Sequence, residues 1–172
     1  GNVDDLSYNT SCSCCTLIMF SISFGDIDND QDIDYVISGF NDSSGLQSFI
    51  YENITEIGGD ILLNEVLSNF NSIRDGSTDL IDFDGDGDLD VLSSSYVGGQ
   101  VAWYENDGAG SFETHTITAT VDWPWGIYLA DVDGDGDMDV LSASSTASAS
   151  KIVWHENNGN LNFTSHIISS SA

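Results

Sequence analysis

The chain has 172 residues, and 29 acidic residues against two basic ones give it a formal net charge of −27. Nucleic acids and anionic membranes carry charge of the same sign and are disfavoured as partners, whereas cations are favoured. Hydrophobic residues make up 40% of the chain, which is too many for a disordered acidic tail and enough for the core of one domain. The most apolar run, residues 17–24, is too short to span a membrane.

Residues 1–16 form an N-terminal arm that fits none of the repeats described below and holds all three cysteines. Cys12, Cys14 and Cys15 do not have the spacing of a zinc site, and a fourth ligand is not apparent. We predict a disulfide within or between chains, and the odd count leaves one thiol free or paired with another molecule. Such an arm either adds a strand to the sheet of a neighbouring molecule or remains a loose tail.

Three aspartate clusters divide the rest of the chain into repeats, and each cluster holds five aspartates. The clusters read DIDNDQDIDY at 26–35, DFDGDGDLDV at 82–91 and DVDGDGDMDV at 131–140. A second signal keeps step with them, because AWYENDGAGSFETHTI at 102–117 aligns with VWHENNGNLNFTSHII at 153–168. Repeats of about 50 residues are typical of propeller blades.

The apolar segments around the clusters are short and rich in β-branched and aromatic residues, which indicates strands. One segment precedes each cluster and three follow it, with turn sequences such as NDGAG at 106–110 and NNGN at 157–160 before the last. We predict an all-β domain over residues 17–172, with three four-stranded propeller-type blades and little or no helix. The predicted blades span about residues 17–73, 77–121 and 124–170.

The aspartates have the spacing of a cation-binding loop, written Asp-x-Asp-x-Asp-Gly-x-x-Asp and numbered here as positions 1 to 9. Ca²⁺ takes six to eight oxygen ligands, and alternate residues of a tight loop aim their carboxylates at one point. Glycine at position 6 supplies the positive φ that such a loop needs, and Gly87 and Gly136 hold that place. Gln31 replaces this glycine in the first loop, so we expect that loop to bind its ion most weakly.

We predict up to three structural Ca²⁺ ions, held mainly by positions 1, 3, 5 and 9. At position 7 the backbone carbonyl is the expected ligand, and the side chain is expected to point to solvent. An EF-hand is excluded because its loop has a glutamate at position 12 and flanking helices, and Mg²⁺ is disfavoured because it seldom uses all-protein cages. The candidate metal-ligating residues are Asp26, Asp28, Asp30, Asp32, Asp34, Asp82, Asp84, Asp86, Asp88, Asp90, Asp131, Asp133, Asp135, Asp137 and Asp139.

The loop motif D-h-D-G-D-G-D-h-D-V, in which h is hydrophobic, is followed by W-Y/H-E-N-x-G. This combination resembles FG-GAP/VCBS-type repeats, the blades of the integrin α-subunit propeller and of many secreted microbial proteins. The resemblance covers residues 17–170 and is closest in the second and third repeats. It implies propeller-type blades with a structural calcium ion between the first two strands of each. It also implies a protein that adheres, scaffolds or binds ligands rather than one that catalyses a reaction.

Three blades are too few for a closed propeller, which needs about four to eight. The outer two would each leave one face with apolar side chains exposed. Three arrangements solve this problem: the chain is a fragment of a longer propeller, two copies close a six-bladed ring, or copies stack head to tail. A head-to-tail contact builds a ring if it closes and a filament if it does not.

We predict no catalytic residues, because the histidines follow the repeat and no Ser, Cys or acid partner is recognisable from spacing. Trp123 and Trp125 in the DWPWG stretch are a candidate ligand surface, either a sugar-stacking platform or a packed blade edge. The candidate glycosylation sites, each in an Asn-x-Ser/Thr sequon, are Asn9, Asn41, Asn53 and Asn162.

The sequence therefore predicts a non-enzymatic, calcium-stabilised structural protein of the extracellular space or cell surface, with copies that self-associate head to tail into an oligomer or filament. The alternative is an adhesive or carbohydrate-binding, lectin-like fragment of a larger β-propeller protein. The expected partners are other copies of the chain and a glycan or protein ligand. Nucleic-acid binding and membrane insertion are not expected.

Overall fold

A computed structural model of the protein describes residues 17–41, 45–55, 60, 62–68, 76–96, 98–145 and 150–171. Within these ranges the chain forms twelve β-strands and no helix, which confirms the all-β prediction. The cysteine-containing arm lies outside the described residues, as does the side chain of Asn41. The strands are β1 (Leu17–Gly25), β2 (Asp34–Asn41), β3 (Gly45–Asn53), β4 (Leu63–Ser68), β5 (Thr78–Ile81), β6 (Asp90–Ser95), β7 (Gln100–Asn106), β8 (Phe112–Thr118), β9 (Pro124–Ala130), β10 (Asp139–Ser145), β11 (Ser150–Asn157) and β12 (Phe163–Ser171).

The strands form three four-stranded antiparallel sheets, and in each sheet a strand pairs with the next one along the chain. Blade 1 consists of β1–β4, blade 2 of β5–β8 and blade 3 of β9–β12. None of these sheets closes into a barrel, so the described chain is an open array of three blades, as predicted. Each aspartate cluster forms the loop between the first and second strands of its blade.

The middle blade is covered on both faces, and β6 shows this most clearly because all six of its residues are buried. Successive side chains of a strand point to opposite faces. Val91 accordingly packs with blade 1, whereas Leu92 packs with blade 3. The run DVLSSS is therefore a strand enclosed between two neighbouring sheets, not a strand with one face in solvent.

The hydrophobic core lies between the blades as two clusters. Each cluster takes side chains from both of the blades that it joins, so each blade depends on a neighbour for its burial. The first joins blades 1 and 2 and consists of Ile27, Val36, Ile50, Val91, Ala102 and Tyr104. The second joins blades 2 and 3 and consists of Phe83, Leu92, Val101, Trp103, Ile117, Val121, Ile127 and Val140.

The second residue of each aspartate loop is apolar, and we call these three side chains, Ile27, Phe83 and Val132, the plug residues. Ile27 is 5% and Phe83 3% exposed, because each belongs to the core cluster between its own blade and the next one. The ring of Phe83 lies 5.1 Å from that of Trp103 and 6.1 Å from that of Phe163 in blade 3. Val132 belongs to the last blade and is 43% exposed. A plug residue is thus buried only where a following blade receives it.

Replacing Phe83 by Ala tests this role. The substitution removes a buried ring between two blades, and we expect it to lower the free energy of unfolding by about 3–5 kcal/mol. Val132→Ala is the matched control, because truncation at the exposed plug position should cost less than about 0.5 kcal/mol. Urea denaturation of dilute, monomeric protein in excess Ca²⁺ measures both values. Equal losses at the two positions would contradict the plug role of Phe83.

Candidate functional site

Each aspartate loop is curled by hydrogen bonds from its backbone to its own carboxylates. In the second loop the amide of Asp86 donates to Asp84 Oδ1 at 3.1 Å, and the amide of Asp88 donates to Asp86 Oδ1 at 2.9 Å. The equivalent bonds recur in the first and third loops. Aspartate favours such turns because its short side chain reaches the backbone two residues on. The Asp-x-Asp spacing therefore determines the conformation of the loop as well as its negative charge.

The carboxylates of positions 1 and 3 converge in every loop, together with one further aspartate from position 5 or 9. One oxygen from each residue of a set lies within 4.8 Å of the others. Two oxygens on opposite sides of a Ca²⁺ ion are separated by about 5 Å, since each Ca²⁺–oxygen distance is roughly 2.3–2.6 Å. The geometry therefore suits one hard cation per loop. The sets are Asp26, Asp28 and Asp34 in the first loop, Asp82, Asp84 and Asp86 in the second, and Asp131, Asp133 and Asp139 in the third.

Position 9 has a second role that sequence reasoning missed. Asp90 is completely buried, and its two carboxylate oxygens accept the backbone amides of Phe83 at 2.9 Å and Asn106 at 2.8 Å. The carboxylate thereby ties the plug residue to the end of the third strand. Asp34 and Asp139 accept the same pair of amides in their blades. The signal for this contact was the Glu-Asn pair that ends the third strand in every repeat.

Some carboxyl groups of the loops have raised pKa values, and burial is the main cause. Burial raises the pKa of Asp90 to about 6, although its hydrogen bonds act in the opposite direction. Burial also raises the pKa of Asp28 to about 6, and a hydrogen bond with Glu52 adds to that shift. These two carboxyl groups therefore ionise less readily than a free aspartate. A bound cation reverses such shifts, because an opposite charge favours the carboxylate form.

The glutamate of the Glu-Asn pair lies beside the first loop, and sequence reasoning had used it only as a marker of the repeat. Glu52 interacts with Asp28, and Asn64 Nδ2 donates to Glu52 Oε2 at 3.0 Å. In blade 2 the equivalent Glu105 has a different partner, because its Oε2 lies 2.7 Å from Nε2 of His115. Glu52 is therefore placed to supply an additional oxygen at the first loop.

Two of the aspartates at position 7, Asp88 and Asp137, lie close to the hairpin turns of their own blades. Asp88 is half-buried and accepts a hydrogen bond from Asn29 Nδ2 of the preceding loop at 2.6 Å. A Cβ atom on Gly108 would collide with the Asp88 carboxylate, and a Cβ on Gly159 would lie 2.6 Å from Asp137 Oδ2. Glycine in these hairpin turns therefore makes room for the carboxylate. Six of the candidate ligands lie outside the converging sets: Asp30 and Asp135 (position 5), Asp32, Asp88 and Asp137 (position 7) and Asp90 (position 9).

Residues 82–142 match the family model of the FG-GAP-like repeat. The matched segment contains the second and third aspartate loops, so the resemblance inferred from these motifs is confirmed. FG-GAP repeats typically occur in extracellular or surface proteins and are in general non-enzymatic. No curated protein and no solved structure matches the chain. Among the residues described here, no helix is long and apolar enough to cross a membrane.

The histidines of blades 2 and 3 take part in packing. His115 stacks on Trp103 with ring centroids 4.5 Å apart, and in blade 3 His166 lies 4.7 Å from Trp154. His155 is 1% exposed and lies between two serine hydroxyls, and burial lowers its pKa to about 4. It is therefore neutral at physiological pH and closed to solvent.

The DWPWG stretch forms an aromatic cluster at the edge between blades 2 and 3. Tyr96 lies 5.1 Å from Trp123 and 4.9 Å from Trp125, measured between ring centroids. The two tryptophans remain 41% and 52% exposed. Trp123 has a positive φ of 51°, a conformation that costs free energy in a non-glycine residue and is frequent at binding sites. The cluster thus combines the packed edge and the exposed surface that the sequence left as alternatives.

The first loop has the same backbone path as the other two, although it lacks their glycines. Gln31 has φ of 76° where Gly87 and Gly136 have 103° and 101°. Its amide donates to Asp26 Oδ2 at 3.0 Å, which matches the bond from Gly136 to Asp131 in the third loop. A side chain in this conformation costs of order 1–3 kcal/mol. The first loop is therefore folded like the others but strained.

We expect Gln31→Gly to relieve this strain and to raise the melting temperature by about 2–4 °C, equivalent to about 1 kcal/mol in a chain of this size. Part of the gain is offset by the greater freedom of glycine in the unfolded chain. The reverse substitution, Gly87→Gln, is the matched control and should destabilise the protein by about 1–3 kcal/mol. Thermal melts followed by circular dichroism measure both. A decrease in melting temperature for Gln31→Gly would refute strain at this position.

Proposed function

We propose that the protein is a non-enzymatic, calcium-stabilised structural protein of the extracellular space, and that its blades assemble head to tail with those of other copies. The observation that carries the proposal is the converging carboxylate set that occurs once in each of three consecutive blades. A catalytic metal ion acts at a single active site. An ion site repeated in phase with the fold supports a structural role instead.

Calcium suits these loops better than magnesium. Converging carboxylates and the backbone carbonyl of position 7 would supply an all-protein shell of oxygens, which Ca²⁺ accepts and Mg²⁺ seldom uses. Three Ca²⁺ ions would offset about six of the 27 formal negative charges. Because position 9 is bonded to the backbone of the plug residue, an ion in the loop would also stabilise the contact between blades.

The placement of the reactive side chains supports a non-enzymatic role. His155 is buried, whereas His115 and His166 are paired with Glu105 and Glu156 at 2.7 and 2.5 Å. Fifteen of the aspartates belong to the three loops, which recur with the repeat and not at one single site. The non-enzymatic character of FG-GAP repeats in general supports the same conclusion.

An extracellular location agrees with the chemistry of the loops. Extracellular modules bind Ca²⁺ with dissociation constants of about 10⁻⁴–10⁻³ M, so even a strained loop would be filled there. Asn162, the acceptor of one sequon, is exposed in the turn before β12 and is open to a glycan. A glycosylated, calcium-loaded protein is therefore the form that we propose.

Head-to-tail assembly would cover the two outer faces of the described array. Blades 1 and 3 expose large apolar side chains such as Phe24 and Ile152, which are 56% and 46% exposed. Exposed apolar patches of this kind mark interaction sites. The two faces belong to opposite sides of the repeat, so a contact between them is heterologous and extends into a ring or filament.

Chelation of calcium tests the ion sites. A site filled at 100 times its dissociation constant adds about 2.7 kcal/mol of stability, and each kcal/mol shifts the melting temperature by about 2–4 °C. We expect excess EDTA to lower the melting temperature by at least about 10 °C, and Ca²⁺ but not equal Mg²⁺ to restore it. A variant with Asp84→Asn and Asp133→Asn should respond less to Ca²⁺. An unchanged melt in EDTA would refute the calcium proposal.

A second candidate function is the binding of a carbohydrate by the aromatic cluster of Tyr96, Trp123 and Trp125. The two exposed tryptophans favour it, because flat apolar rings with polar edges are suited to stacking on sugar rings. We expect binding on a glycan array to be lost in Trp125→Ala and kept in Tyr128→Ala, an exposed aromatic residue of the first strand of blade 3. Loss in both variants, or no binding by the unmodified protein, would rule out this site.

A further inference from the structure

The contacts between blades within one chain indicate which face of one copy would contact which face of a second copy. We call the face of a blade towards the next blade in the chain its forward face, and the opposite one its rear face. On the forward face of blade 2, the paired residues Leu92 and Trp103 are completely buried against blade 3. Blade 3 has Leu141 and Trp154 paired in the same way, and Tyr128 beside Leu141 is 76% exposed. The forward face of blade 3 thus has the same pair of apolar residues as the forward face that is buried in blade 2.

The rear face of blade 1 repeats a face that blade 3 buries. Three apolar positions recur there: one in the first strand, one just before the last aspartate of the loop, and one at the start of the fourth strand. In blade 3 they pack against the second core cluster, whereas in blade 1 they are 56%, 50% and 45% exposed. The residues are Leu129, Met138 and Phe163 in blade 3, and Phe24, Ile33 and Leu63 in blade 1.

We propose that Val132 of one copy inserts into the socket formed by Phe24, Ile33 and Leu63 of a second copy. This inference rests on the head-to-tail assembly proposed above and names the residues of its joint. We assign this socket to a second copy because the contact between a plug residue and the following blade occurs twice within the chain. Ile27 and Phe83 are buried by following blades, and Val132 is the plug residue left without one in the described chain.

A hydrogen bond accompanies the plug at the first internal contact. Asn106 Nδ2 donates at 2.8 Å to the backbone carbonyl of Ile27. Asn53 ends the third strand of blade 1 as Asn106 does in blade 2. In the joint, Asn53 of the second copy therefore donates to the carbonyl of Val132. Asn53 is also the acceptor of a sequon, so a glycan on it would occupy the place of the incoming loop and block assembly.

Two single variants test the joint, and each damages one end only. Val132→Asn places an amide on the plug, and Ile33→Asn places one in the socket, so neither changes the charge of a loop. Because burying an unpaired amide is costly, each should weaken association by at least about ten-fold. Ala119→Asn is the control, since it makes the same kind of change at an exposed position between blades 2 and 3. Light scattering coupled to size exclusion in Ca²⁺ measures the mass of each.

Mixing the two variants gives the decisive result. The Ile33→Asn copy keeps its plug and the Val132→Asn copy keeps its socket, so an equimolar mixture should form a one-to-one dimer while each alone stays monomeric. The control should assemble like the unmodified protein. Far-ultraviolet circular dichroism spectra of the monomeric variants that match the spectrum of the control show that the folded state is kept.

The outcomes separate the joint from the assembly itself. If the unmodified protein stays monomeric at all concentrations in Ca²⁺, head-to-tail assembly is refuted and the joint with it. If it assembles and either variant assembles equally well, assembly stands and the joint named here is refuted. If both variants are monomeric but their mixture does not form dimers, the contact is not between unlike ends, which also refutes the joint.

Discussion

A sheet with apolar side chains on both faces is stable in water only when both faces are covered. Blade 2 meets this condition because blades 1 and 3 lie on either side of it, and its strand β6 is buried along its whole length. Each outer blade has only one of its two faces covered. The position of the core, the exposure of the end faces and the need for a partner all follow from this one constraint.

The aspartate loops connect the converging carboxylates to the packing between blades. Asp90 is the last residue of the loop, and it accepts the amide of Phe83 in the loop and the amide of Asn106 at the end of the third strand. Phe83 in turn fills the core between blades 2 and 3. The same short segment therefore presents converging carboxylates at the surface and an apolar plug to the interior. An ion in the loop and the packing between blades would stabilise one another.

Much of this arrangement could be predicted from the sequence, because the repeats put several signals in phase. The strands, the three sheets and the loop positions follow from alternating apolar segments, turn residues and the aspartate spacing. The double role of Asp90 and the contact of Asp88 with the preceding loop could not be predicted in this way. They depend on partners such as Asn106 and Asn29, which the fold brings close from other segments. Spacing within one loop carries no information about such partners.

The hydrogen bond between Asn29 and Asp88 has a consequence for how the loops respond to ions. It joins position 4 of the first loop to position 7 of the second at 2.6 Å, across the boundary between two blades. An ion that orders one loop would hold this bond in place and so favour the bound form of the other, which is a coupling free energy between the two sites. Gly85 and Gly134 occupy position 4 in the other loops and have no side chain to make such a bond. Cooperativity between ions would thus be confined to the first pair of blades.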